Sequence, residues 1–259
     1  SFSQRIQRPS LRFINPFVQF SDFRNVNVGN PTLEPELSDQ VELNYNIFIK
    51  GTVINAGVYY RQTRDVIESI LSVDEEGVST TRYQNIGMNS SIGFNLFGSV
   101  KPLEFWTLRG GGNIFSYNAE GEINGEFVEN TAWLWNANLG STFDLGKGWR
   151  VERFGFFNSP RATLQGTNPS FSLFSMGVQK EFSKRTRLGL RIVEPFSNEK
   201  EFPSELRGPD FYQESNFSLL DRSFGISFNH TVGQLNFRQQ RRRSKIGRAD
   251  LKQGDNQQF

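Results

Sequence analysis

Residues 40–49 read Gln40-Val41-Glu42-Leu43-Asn44-Tyr45-Asn46-Ile47-Phe48-Ile49. Val41, Leu43, Tyr45, Ile47 and Ile49 are apolar, while Gln40, Glu42, Asn44 and Asn46 between them are polar. Successive side chains of a strand point to opposite faces, so a period of two gives one apolar and one polar face. Ile86, Met88, Ile92, Phe94 and Leu96 repeat the pattern against Gly87, Asn89, Ser91, Gly93 and Asn95. So do Trp133, Trp135, Ala137, Leu139, Phe143 and Leu145 against Asn136, Asn138, Gly140, Thr142 and Asp144, and Phe224, Ile226, Phe228 and Val232 against Ser223, Gly225, Ser227, Asn229 and Thr231. Looser versions lie at 52–64, 103–118, 149–159, 170–182 and 186–194. With the stub that begins Ser1-Phe2-Ser3-Gln4-Arg5-Ile6, the pattern predicts about ten strands.

The connections alternate in length. Short ones fall at Lys50-Gly51, Val100-Lys101-Pro102, Gly146-Lys147-Gly148 and Ser183-Lys184-Arg185, and longer ones at 7–37, 65–83, 119–130, 160–169 and 195–214. Short turns at one end and long loops at the other are the layout of a transmembrane β-barrel. An antiparallel β-sandwich has the same period, but its apolar face is buried and its polar face meets water. Strands of roughly ten residues or more suit a tilted bilayer span. Trp133, Trp135, Trp149, Phe105, Trp106, Tyr59 and Tyr60 near strand ends are expected to form interfacial girdles. Both architectures stay open on pattern alone, with the barrel favoured.

Composition narrows the function. The 259 residues carry 29 Lys+Arg against 27 Asp+Glu, a net charge of +2, which does not suit a basic nucleic-acid binder as a whole. Phe alone supplies 26 residues and Gly 24. Cysteine is absent and His230 is the sole histidine, which removes thiol chemistry and multi-histidine metal sites. No catalytic residue, metal site or cofactor is expected, and a serine hydrolase would need a histidine outside the lipid-side register in which His230 falls. Arg109-Gly110-Gly111-Gly112-Asn113 matches no phosphate-binding pattern, and its glycines are expected to ease close packing in a strand. Residues 238–259 hold seven basic and two acidic residues. They are expected to form a disordered periplasmic tail after the last strand, with no nucleic-acid role.

A family resemblance sharpens this reading. Arg5-Ile6-Gln7-Arg8-Pro9, Asn15-Pro16-Phe17 and Gly29-Asn30-Pro31-Thr32-Leu33-Glu34-Pro35-Glu36 closely resemble TonB-dependent outer-membrane receptors, and more narrowly the outer-membrane β-barrel family abundant in Bacteroidota. Arg222-Ser223-Phe224-Gly225-Ile226-Ser227-Phe228 is similar to that family's closing strand, and Ala249-Asp250-Leu251-Lys252 to its periplasmic end. The resemblance runs from end to end. It implies an all-β chain, residues 1–237 being the C-terminal part, about ten strands, of a larger plugged antiparallel transmembrane β-barrel. It also implies placement in the outer membrane among its lipids, a periplasmic C-terminus, coupling to the TonB complex through a region upstream, and a surface lipoprotein as a further partner. Nutrient uptake is the implied function. A structural barrel that carries a lipoprotein or secretion component, and a soluble β-sandwich binding module, are the alternatives.

From the residues themselves, Gly29 and Asn30 tolerate left-handed backbone and Pro31 and Pro35 stiffen the chain. The string is therefore expected to be a rigid loop that enters a strand near Ser38. Strand phase points Asn95, Arg109, Asn113, Asn136, Asn138 and Arg191 to the polar, lumen-facing side. These six are the candidate ligand contacts, supplemented by carboxylates and aromatics of loops 65–83, 119–130 and 195–214.

Overall fold

The computed structural model describes residues 1–233 other than 21, 124, 209 and 210, and the backbone of 251–252. Nearly all of it is antiparallel strand. In chain order the elements are β1 (Phe2–Pro9), a one-turn helix α1 (Leu11–Ile14), β2 (Gln19–Phe20), β3 (Asn25–Val28), β4 (Glu36–Ile49), β5 (Thr52–Arg64), β6 (Ile67–Val73), β7 (Ser79–Asn85), β8 (Met88–Leu103), β9 (Trp106–Ile123) and β10 (Glu126–Gly146). Then come β11 (Trp149–Asn158), β12 (Arg161–Thr163), β13 (Gly166–Asn168), β14 (Phe171–Ser183), β15 (Thr186–Val193), β16 (Glu199–Arg207), β17 (Tyr212–Leu220), β18 (Ser223–His230) and β19 (Leu251–Lys252).

One large sheet runs β18-β15-β14-β11-β10-β9-β8-β5-β4-β1-β19. Ten of its strands form an antiparallel meander and match the ten expected from the sequence. Leu251 and Lys252 add a short parallel bridge on β1, opposite Arg8 and Pro9. The rest of the expected basic tail lies outside the described residues. The sheet does not close, because no described strand pairs with the outer side of β18. Two four-stranded sheets, β2-β3-β7-β6 and β12-β13-β16-β17, are built from the long connections.

Among the described residues, nothing packs on the apolar face of the large sheet. Leu43 is 73% exposed, Trp133 67% and Ile226 78%, and the same face carries Val58, Phe94 and Leu190. A sandwich would have buried these side chains against a second sheet, so the sandwich reading falls. His230 continues this face beside Phe228, with its ring Nδ1 2.9 Å from Thr186 Oγ1. The turn between β4 and β5 suits the twist of the hairpin it closes. Lys50 (φ 45°) and Gly51 (φ 80°) both have positive φ, as a two-residue I′ turn demands.

The packed core lies elsewhere, in the loop sheets. Ile70, Ile86, Ala119, Ile123 and Leu164 form one buried cluster, joined by Tyr117 and Val128. Phe13, Leu33 and Ile67 form a second, against which Ile14 and Tyr83 pack. This placement overturns three expectations. Residues 119–130 are not a long loop but the tips of β9 and β10, with paired residues as far as Ile123 and Glu126. Ala119, Ile123 and Val128 have apolar partners there, so the ladder continues past the bilayer-spanning length. Ile86 leaves the strand register and joins the loop core. Tyr59 is 9% exposed on the polar face rather than in an outer girdle, while Tyr60, Trp133, Trp135 and Trp149 stay exposed.

The Gly-Asn-Pro string is the rigid loop expected of it, for a different reason at Gly29. Neither Gly29 nor Asn30 has a positive φ. A Cβ on Gly29 would run into the backbone of Asn15, which accepts the Gly29 N–H at 3.1 Å. Asn30 donates to the Tyr83 carbonyl at 3.1 Å and accepts from Thr32 N–H at 3.0 Å. The string ends at buried Glu36, whose carboxylate accepts the Ile67 N–H at 2.7 Å.

Placing a charge on the outer face should be costly. Phe94→Arg is expected to destabilise the folded barrel by about 2–4 kcal/mol, since that strand position faces hydrocarbon. Phe94→Leu should be close to neutral. Urea unfolding in detergent micelles, followed by heat-modifiable gel mobility, checks the pair; equal effects would reverse the assignment of faces.

Candidate functional site: the polar face and its cap

Directly opposed residues of antiparallel neighbours share a face, so the register can be followed across the sheet. Asn44 on β4 opposes Gly57 on β5, which opposes Asn95 on β8, then Asn113 on β9, Asn136 on β10 and Asn158 on β11. Five asparagines and one glycine thus form a single uncharged row across six strands. An amide side chain both donates and accepts, so such a row offers hydrogen bonds of either sense without net charge. A Cβ on Gly57 would clash with the Asn44 amide, so the glycine leaves room for its neighbours' side chains.

Tyr59 ties the row to the next strands. Its ring lies over Gly93 on β8 and its hydroxyl reaches Asn113 on β9, with Oη 3.1 Å from Nδ2 and 3.2 Å from Oδ1. A side chain from β5 can reach β9 only because the residue between has none. Gly111 serves similarly, since a Cβ there would sit 3.2 Å from Asn138 Oδ1 and 3.3 Å from Phe97 Cδ2. The Arg109–Asn113 glycines are thus part of β9, where their lack of side chains gives neighbours room.

All six candidate contacts fall on this face, and the register brings half of them together. Asn95, Asn113 and Asn136 are consecutive members of the row. Asn138 lies one step toward the short turns, opposite Gly111, and Arg109 one step further, opposite Gly140 and Ser99. Arg191 stands apart on β15, opposite Gly177 and Gly225, where its Nη2 donates to Ser175 Oγ at 3.4 Å. Asn44 and Asn158 complete the row. Asn44 is a polar position of the 40–49 alternation and Asn158 lies in the looser stretch 149–159, but only register shows that they align with the others.

The loop sheets fold over the polar face at the long-connection end. Glu68 on β6 holds three elements together, accepting the Tyr117 hydroxyl at 3.0 Å and the Leu164 N–H at 3.2 Å. Gln165, 6% exposed, mimics a strand residue by pairing both ways with Leu71: its Oε1 accepts the Leu71 N–H at 2.8 Å and its Nε2 donates to the Leu71 carbonyl at 2.9 Å. Asn130 Nδ2 donates to the Thr163 carbonyl at 2.6 Å. Beside this knot is a cavity of about 320 Å³ lined by Ile123, Glu126, Asn130, Leu164 and Arg207, among others. On the far side, Lys200 binds Glu194 at 2.6 Å and Asp221 at 3.1 Å, and Glu194 also accepts the Phe174 N–H at 2.6 Å. That cluster anchors the β16–β17 hairpin to the wall.

Two substitutions test these contacts. Gly93→Ala would push a methyl into the Tyr59 ring and should cost about 1–3 kcal/mol, as overpacking does. Gly225→Ala, with open space at its Cβ, should have little effect on the same unfolding curve. Gln165→Leu would leave the Leu71 amide and carbonyl unpaired, at about 1–3 kcal/mol. Hydrogen exchange should then quicken across 67–85 while β8–β10 stay protected; uniform protection in the variant would mean that Gln165 does not hold the cap.

Comparison with known proteins agrees with this architecture. Residues 1–230 match the outer membrane protein beta-barrel family. Among solved structures, the chain resembles the siderophore receptor PirA from Pseudomonas aeruginosa, at 12% identity and a TM-score of 0.58 over 88% of this chain and 38% of that one. It also resembles the copper transporter OprC, at 16% identity and a TM-score of 0.59, covering 88% and 37% of the two chains. The ferric enterobactin receptor PfeA of Pseudomonas aeruginosa gives 12% identity and a TM-score of 0.54, again over 88% and 37%. The chain therefore spans a little over a third of each, and the likeness is one of fold. Among curated protein sequences no relative is found. The chain belongs to the outer membrane protein beta-barrel family.

Proposed function

We propose that this chain is the C-terminal part of a TonB-dependent receptor that imports a scarce nutrient across the outer membrane, and that it performs no covalent chemistry. The observation that carries the reading is the open ten-stranded meander with a polar inner face. It matches just over a third of proteins named as receptors and transporters. Open edges expose unpaired N–H and C=O groups, which a membrane does not tolerate. Further strands upstream would complete the wall, and a plug inside it would carry the TonB-binding segment.

In this mechanism the long loops capture the ligand at the surface and the polar face conducts it inward as the plug moves. The Glu68–Gln165 knot supports the reading, because it holds the loop sheets against the wall instead of leaving the entrance unstructured. The short-turn end, and with it the C-terminus after β18, would face the periplasm.

The test is the size of the native polypeptide. An antibody to residues 245–259, used on the source outer-membrane fraction, should detect a band about two to three times heavier than the 29.7 kDa of this chain, as its coverage of the receptors requires. A band near 30 kDa would remove the TonB-driven mechanism and leave a small barrel.

A further inference from the structure

The polar face carries an aromatic line that strand phase alone does not disclose. Phe171 on β14 opposes Asn158, the last member of the asparagine row, and so shares its face. Its ring centroid is 6.2 Å from that of Phe156 on β11 and 6.3 Å from that of Phe202 on β16. Phe202 in turn opposes Phe217 on β17, with centroids 6.4 Å apart. Four rings therefore step at nearly equal intervals from the wall up into the β16–β17 loop sheet. Phe171 is 40% exposed and Phe217 39%, so these rings are not packing one another out of solvent.

Half-exposed rings that begin beside Asn158 on the polar face are hard to explain as core or as lipid anchors. A core phenylalanine is covered, and a lipid-side one lies on the opposite face with Phe94 and Phe228. Evenly spaced, accessible rings do suit a ligand that slides flat from one to the next. The asparagine row, which meets the line at Asn158, suits that ligand's hydrogen-bonding rim. The cation nearest the line is already paired. Lys200 lies 5.6 Å above the Phe171 ring, but it is bound to Glu194 and Asp221, and Arg222 donates to the Glu194 carbonyl at 3.3 Å. Among the described residues, the ammonium nearest the rings is therefore already held by two carboxylates instead of being offered to an ionic ligand.

We infer that Phe156, Phe171, Phe202 and Phe217, with Asn158 beside them, form a binding track for an uncharged ligand built of flat rings with polar edges. This deepens the receptor reading and rests on it. A pyranose chain and a hydroxylated aromatic share that chemistry, each offering an apolar face to a ring and hydroxyls to an amide.

The experiment uses the full-length native protein purified in detergent, with saturation-transfer NMR against maltohexaose, catechol and citrate. At least one of the two neutral probes should bind. Phe171→Leu/Phe202→Leu, which keeps bulk but removes the aromatic faces, should weaken that binding about tenfold. Phe171→Tyr should restore it, and Phe228→Leu on the outer face should leave it unchanged. Heat-modifiable mobility confirms that each variant folds. Binding of maltohexaose identifies a sugar track, and binding of catechol an aromatic one. If neither neutral probe binds, or the leucine variants bind as well as the parent, the inference is overturned. Citrate binding alone would overturn it and leave the receptor reading standing, whereas that reading falls on polypeptide size.

Discussion

A backbone that crosses a bilayer as strand has no water to satisfy its amides, so each strand depends on the next for its hydrogen bonds. The rest of this molecule follows from that constraint. It calls for each strand to pair with its neighbours, and the ten-stranded meander supplies that antiparallel pairing from β1 to β18. The I′ turn at Lys50-Gly51 closes its hairpin with no shift of register between β4 and β5. Side-chain packing then has little to do within the wall, because one face meets lipid and the other a polar interior. This explains how a stable architecture leaves Leu43, Trp133 and Ile226 uncovered.

Packing in the ordinary sense is confined to where strands leave the span. There Ile70, Ile86, Ala119, Ile123 and Leu164 bury one another, and Phe13, Leu33 and Ile67 do the same nearby. The polar groups that enter these clusters are paired: Glu36 with a backbone amide, Glu68 with Tyr117 and Leu164, and Gln165 with both backbone groups of Leu71. Buried carboxylates and amides are tolerable only on those terms. The loops consequently form ordered sheets, and the aromatic line from Phe156 to Phe217 has a rigid support at its loop end.

The two faces of the sheet and the loop cap differ sharply in chemistry. The outer face is apolar, as suits a member of the outer membrane protein beta-barrel family. The inner face joins an uncharged amide row to a line of rings, and the loop sheets close over part of it. Glycines at 57, 93 and 111 matter here through the space they leave, which lets Asn44, Tyr59 and Asn138 spread sideways over neighbouring strands.

Much of this was legible in the residues. Alternation at 40–49, 86–96, 133–145 and 224–232 disclosed the strands, their two faces and the sides on which Asn95, Arg109, Asn113, Asn136, Asn138 and Arg191 lie, because a period of two is a local property. Loop 119–130, Ile86 and Tyr59 were misread because each is decided by a partner distant in sequence: Leu164 and Ile70 for the first two, Asn113 for the third. The asparagine row and the phenylalanine line were invisible for the same reason. Which residues align across six strands depends on register, and which rings meet depends on how a loop sheet folds back on the wall. Local chemistry determined that this chain is a wall of alternating strands; only the tertiary structure decided which side chains stand next to one another on its inner face.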